Sequence, residues 1–194
     1  EVRWWVASAR ATLDLARGDL DAAATSYLQA LAVGGELGIG TAVSIGLLHR
    51  MLLDWEQGTL GAFHALLPAE PVADNPALLI AQGLVSVEAG DLPGATAVAD
   101  RLAAGPYVLA EAGPNVWPLL ASVGAEIAWP TGHRPLAAEL LDPLRAHAGR
   151  GLSLAGFGYL GAADRVLGLA AATLGDHTTA VEHLRRAVDD DRRR

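Results

Sequence analysis

The sequence predicts an all-α fold, an α-solenoid of about five stacked helical hairpins. Two observations carry that expectation. The first is a short pattern that returns five times, built on Gly18, Gly58, Gly90, Gly132 and Gly175. Five positions after each glycine stand Ala23, Phe63, Ala95, Ala137 and Ala180, and nine after stand Tyr27, Leu67, Ala99, Leu141 and Leu184. Seven before stand Ala11, Met51, Gly83, Ala125 and Gly168. Successive glycines are 40, 32, 42 and 43 residues apart, a period in the range of helical-repeat arrays. The second observation is composition. The chain is 52% hydrophobic but only 5% aromatic, rich in Ala and Leu, which suits helices that stack through two apolar faces and argues against disorder.

Each hairpin follows in order. Residues 3–17 read as a helix, and the Gly18–Asp19 step lets the chain reverse, with Asp19 or Asp21 capping a partner helix that closes the first hairpin, 3–33. The second spans 39–67, pairing 39–57 with 59–67, and ends where Pro68, Pro71 and Pro76 forbid a continuing helix. The third, 76–104, stops at Gly105–Pro106. The fourth, 114–147, places Pro135 in a first helical turn, where proline is tolerated. The fifth spans 160–192, and residues 148–159 read as a flexible connector. Within a hairpin, the alanine five positions after the glycine lets the second helix approach the first, and the small residue seven before accepts that contact. The five hairpins read as one domain, 1–194.

A small residue, seven positions, glycine, aspartate next to it in three of five copies, alanine and then a large residue is a pattern that resembles the tetratricopeptide family. The resemblance spans nearly the whole chain and implies a right-handed α-α solenoid. The family's closing proline and first-helix aromatic are mostly missing, and several repeats exceed its usual length. A narrower resemblance covers residues 157–194, FGYLGAADRVLGLAAATLGDHTTAVEHLRRAVDDDRRR. This segment is similar to the C-terminal helical-repeat region of actinobacterial signalling proteins, including LuxR-type transcriptional regulators with an NTPase module and cyclase-linked ATPases. The resemblance implies a sensor or protein-docking role in a bacterial regulator, with ATP hydrolysis and DNA binding carried by other domains. No Walker motif or helix-turn-helix is recognisable. The chain begins at Glu1 without Met and stops in mid-helical pattern at Arg194, so it reads as a piece of a longer protein.

Charge and composition bound the function. A formal net charge of −8 opposes a phosphate backbone, so direct nucleic-acid binding is not expected. The absence of Cys removes disulfides, thiolate metal sites and cysteine nucleophiles. The longest apolar stretches, 39–48 and 166–174, fall short of the roughly 18 residues a membrane span needs, and no stretch reads as a signal peptide. The expected setting is the cytoplasm. All 14 basic residues are Arg, which with the Ala and Gly content suggests a GC-rich genome.

Constellations for chemistry are sparse. Gly156, Gly158 and Gly161 form a literal G-x-G-x-x-G, but a dinucleotide site needs a preceding strand and a parallel βαβ unit, which the flanking helical patterns do not supply. A nucleotide site there is the weakest reading. The six histidines, His49, His64, His133, His147, His177 and His183, show no metal-ligand spacing and read as solvent-facing or turn residues. The run 189–194, DDDRRR, reads as a solvated helix end. No catalytic residue, cofactor or metal site is expected.

The first helices of the repeats instead point to a groove. Three positions before the glycines stand Leu15, Trp55, Val87, Trp129 and Ala172, six before stand Thr12, Leu52, Leu84, Glu126 and Leu169, and thirteen before stand Trp5, Ile45, Ala77, Leu119 and Ala162. This face is apolar, with Glu126 and Arg165 as its obvious charges. Apolar grooves with isolated polar groups hold peptides and small effectors. The expected binding residues are therefore Trp5, Trp55, Trp129, Glu126 and Arg165, the partner being a protein, a peptide, another domain of the parent chain or a small effector. The alternatives are that curvature or flanking domains cover these tryptophans, and that the chain is a structural spacer or self-association scaffold.

Overall fold

The computed structural model describes residues 1–68, 76–104, 116–154 and 157–193. Pro71, the Gly105–Pro106 step and Gly156 lie outside these. The fold is all-α with one small β-ribbon. In chain order the elements are α1 (Val2–Ala16), α2 (Leu20–Glu36), α3 (Ala42–Glu56), a 3₁₀ helix (Leu60–Leu66), α4 (Pro76–Ala89), α5 (Leu92–Ala104), α6 (Trp117–Thr131), α7 (Arg134–Arg145), β1 (Gly151–Ser153), β2 (Tyr159–Ala162), α8 (Ala163–Leu174) and α9 (His177–Asp191).

The five repeat glycines share one conformation. Gly18, Gly58, Gly90, Gly132 and Gly175 have φ between 64° and 87°, the left-handed region that glycine enters without a Cβ clash. At each, the glycine N–H bonds the carbonyl three residues back and the following N–H bonds the carbonyl five before its own, the Schellman closure of a helix end. The acceptor pairs are Leu15 and Asp14, Trp55 and Asp54, Val87 and Ser86, Trp129 and Ala128, and Ala172 and Ala171. The residue after the glycine then starts the next helix. Asp19, Asp91 and Asp176 each accept an N–H three residues on with Oδ1, and His133 does the same with Nδ1.

The small residues do what their spacing predicts. Ala23, Ala95, Ala137 and Ala180 are buried, the middle two completely. A Cβ on Gly168 would stand 2.6 Å from Leu184 Cγ and 3.2 Å from the Ala180 carbonyl oxygen, so α8 and α9 cross with no room for a methyl group. A Cβ on Gly83 would stand 2.2 Å from Ile127 Cδ1 and 2.9 Å from Val98 Cγ1.

The second copy departs from the pattern. Residues 60–66 form a 3₁₀ helix, where the pattern predicts an α-helix partnered with α3. Thr59, at the capping position, turns its hydroxyl back onto the Asp54 carbonyl at 3.2 Å instead of capping forward. Phe63 and Met51 stand where the other copies carry small residues. The 3₁₀ helix packs on α4 instead. Gly61 N–H donates to Glu88 Oε2 at 2.9 Å, and a Cβ on Gly61 would lie 3.3 Å from the α4 backbone.

Backbone contacts divide the chain into two compact units. Unit one comprises Glu1–Thr59 with Ser153–Tyr159, and unit two comprises Leu60–Leu152 with Leu160–Arg193. In unit one, α2 packs on α1 and α3 on α2 around Trp4, Val33 and Ala42, with Ile39, Ile45 and Phe157 against them. In unit two, α4 packs on α5 and also on α6, α6 packs on α7 and also on α8, and α8 packs on α9. Each hairpin's first helix thus meets the first helix of the next. Leu79, Ile80, Leu84, Ile127, Leu140, Leu144 and Leu167 fill the interior between them.

The described residues between α7 and α8 include regular structure where a flexible connector is expected. β1 and β2 pair as a ribbon, and so short a link requires the strands to be antiparallel. Leu152 and Leu160 are buried, so alternation across the pleat supplies an apolar face. In unit two the base is anchored by Asp164, a fully buried carboxylate. Its Oδ2 accepts the Gly149 N–H at 2.5 Å, while Oδ1 lies 2.6 Å from His183 Nδ1 and 3.8 Å from Arg186.

Candidate functional site

The predicted groove residues fall into separate settings. In unit two, Glu126 on α6 and Arg165 on α8 form an ion pair across the two helices, each side chain partly exposed. Trp129 follows Glu126 by three residues, hence on the same side of α6, and is 48% exposed. These three residues are brought together. The guanidinium of Arg165 also passes over Gly161, where a Cβ would stand 3.3 Å from Nε; φ at Gly161 is +89°, which suits glycine. The two charges therefore satisfy each other at rest, and Trp129 is the large apolar side chain beside them. Half-buried Leu169 and Ala172 continue the face along α8.

Trp5 and Trp55 belong to unit one. Trp5 is 52% exposed and packs edge-on to Trp4 at 5.3 Å and on Phe157 at 4.7 Å. Trp55 is half-buried at the end of α3. Not every groove position is open: Leu52, Leu84, Leu119 and Ala162 are core residues. Those positions are closed, which leaves Trp5 in unit one and Trp129 in unit two as the exposed tryptophans of the predicted face.

The histidines mostly have partners. His64 Nε2 lies 3.1 Å from Asp91 Oδ2, His133 caps α7 and lies 3.0 Å from Asp100, and His147 packs on Trp117 with ring centroids 4.7 Å apart. His49 and His183 depart from the solvent-facing or turn reading: His49 is buried, and His183 in α9 is turned onto the buried Asp164 carboxylate. Among the described residues no three His, Asp or Glu side chains gather as metal ligands would. Gly158 and Gly161 do not build a phosphate cradle. They lie between and within the two strands of one ribbon, not at the turn of a parallel βαβ unit, and the first turn of α8 carries the buried Asp164 carboxylate, which repels phosphate.

A second concave feature went unread in the sequence. In unit two, His64, Ala65, Leu67 and Pro68 face Gln82 and Ser86 of α4 and Asp91, Gly94 and Val98 at the start of α5 around a cavity of about 290 Å³. The signal was Asp91-Leu-Pro-Gly94, because the position three after the cap is Ala22, Leu136 or Thr179 in the other capped helices and glycine only here. The serine, histidine and aspartate on this wall do not form a nucleophilic relay. Asp91 takes the imidazole on its Nε2 and the Gly94 N–H on its other oxygen, so the carboxylate orients the ring without an imidazole nitrogen bonded to a hydroxyl.

No family model matches the sequence, and no curated protein or solved structure is matched by it.

Proposed function

We propose that this chain is a non-enzymatic, tetratricopeptide-like interaction or effector-sensing module, a right-handed α-solenoid that serves a bacterial transcriptional regulator of the LuxR-like kind. Support for the repeat architecture comes from the five identical Schellman ends and from first helices that pack in succession from α4 to α6 to α8. Its setting in the cytoplasm is part of the same reading. Among the described residues no helix is long and apolar enough to cross a membrane.

The observation that carries the function is the exposed Trp129 beside the Glu126–Arg165 pair. An exposed indole is a large apolar contact with little rotamer freedom to lose, and tryptophan and arginine are enriched among binding hot spots. A peptide that brings its own carboxylate or amine to this face exchanges one half of the ion pair for a cross-interface bond. Trp5 and Trp55 add apolar contact in unit one.

The test is selection of binding peptides from a displayed random library, followed by calorimetry on Trp129→Ala. Peptides that use this face lose roughly tenfold or more in affinity, the hot-spot threshold. Peptides that bind wild type and Trp129→Ala alike remove the face from the function. If nothing is selected and sedimentation shows concentration-dependent association, the self-associating scaffold takes its place.

A further inference from the structure

We propose that the cavity between the 3₁₀ helix and the α4–α5 hairpin is a binding site for a small primary ammonium compound with a short apolar body. None of its residues belongs to the Trp129 face, so the two readings stand or fall separately.

The argument begins at Gly94. Asp91 Oδ1 accepts the Gly94 N–H at 3.0 Å, and Oδ2 occupies the space beside Gly94 where a Cβ would stand, only 2.2 Å from that position. The missing side chain lets the carboxylate fold over the first turn of α5. Ser86 Oγ lies 3.2 Å from the same point, so hydroxyl and carboxylate converge above Gly94. Ser86 is 7% exposed and lines the cavity beside Asp91. The hydroxyl opens on the cavity and can accept a donor there.

The polarity of the wall selects the ligand. Each Asp91 oxygen has spent one lone pair, on Gly94 or on His64, and retains capacity for another donor. The Gln82 amide is committed to the Pro68 carbonyl at 2.8 Å. Among the described residues no arginine lines the cavity. The N-terminus of α5, the usual seat for an anion, is already taken by the protein's own carboxylate. Acceptors are therefore in surplus, and a group with several N–H donors and a positive charge matches them. Leu67, Ala65 and Val98 provide the apolar wall for a few carbons. Asp91 stays ionised well into acid, since the Gly94 N–H and the His64 side chain both hold its carboxyl below the ordinary value.

The experiment is an NMR titration of the full chain in phosphate buffer with n-propylammonium, and in parallel with propionate and 1-propanol, which have the same size without the positive charge. Propylammonium is expected to shift the amides of Ser86, Asp91 and Gly94 saturably, and the other two probes are not. Asp91→Asn retains an N-cap acceptor, so α5 stays capped, and it should weaken propylammonium binding roughly tenfold through loss of the charge-assisted bond. Gly94→Ala, which displaces the carboxylate, should do the same. An equal response to propionate or propanol, undiminished binding to Asp91→Asn, shifts located elsewhere, or no saturable response at all overturns the proposal. A failure here leaves peptide selection on Trp129 untouched.

Discussion

His49 lies inside unit one, 4% exposed, and among the described residues neither ring nitrogen has a hydrogen-bond partner. Burial holds its pKa below the ordinary 6.5; the Phe157 backbone pulls the other way, without regular hydrogen-bond geometry at either nitrogen. As pH falls through 6.5, an unfolded chain takes up a proton that folded His49 refuses, so native stability declines below that value and is fully retained above it. We expect His49→Leu to raise Tm even at about pH 8, because an unpartnered buried imidazole costs roughly 1–3 kcal/mol. The advantage should grow toward about pH 5. A gain in Tm that is independent of pH would mean that the ring is not held neutral in the fold. Asp54 and Asp164 show the opposite arrangement. Both are buried, but Asp54 meets Arg50 Nε at 2.6 Å, and Asp164 has Gly149, His183 and Arg186 around it. Spacing along the chain does not separate these cases, since burial depends on which neighbours the fold delivers.

At the scale of elements, the crossing of α8 and α9 is the most exposed to test. Ala180→Leu inserts three heavy atoms where Gly168 and Ala180 leave no gap, and should cost roughly 1–3 kcal/mol in urea unfolding. Gly168→Ala, whose new methyl meets Leu184, should also destabilise. The control is Phe63→Leu at the equivalent position of the second copy, where the side chain is 36% exposed and the change should be small. If Ala180→Leu is as mild as this control, the close crossing is absent. The helix ends and the close crossing were legible because both are local geometry: glycine supplies the left-handed turn, and small side chains permit approach. The failure of the second copy was also written in Met51, Thr59 and Phe63, but a five-fold periodic pattern outweighs three local exceptions when it is read as a pattern. The β-ribbon was missed because seven strand residues with Gly on either side carry too little alternation to stand out.

For the whole molecule the charge balance makes a plain prediction. With 22 acidic against 14 basic residues, the chain should not retard duplex DNA in a mobility shift at low salt. The sequence does place Arg3, Arg10 and Arg17 seven apart along α1, the kind of row that such binding would use. Retardation that weakens steeply with salt would show that this row dominates the acidic remainder. Arg17 is already near Asp14 at 3.9 Å, which shortens the row.

By itself the sequence determined the predominantly helical class and the glycine-closed helix ends. Each follows from interactions within about one repeat, where spacing along the chain sets distance in space. Tertiary structure alone decided that Leu52 and Leu84 are core and Trp129 is not, that the second copy gives its 3₁₀ helix to α4, and that Ser86, His64 and Asp91 share one cavity. Those outcomes depend on which helix faces meet, and residues on the same nominal repeat position are sorted into buried and exposed by neighbours that the periodic pattern does not encode.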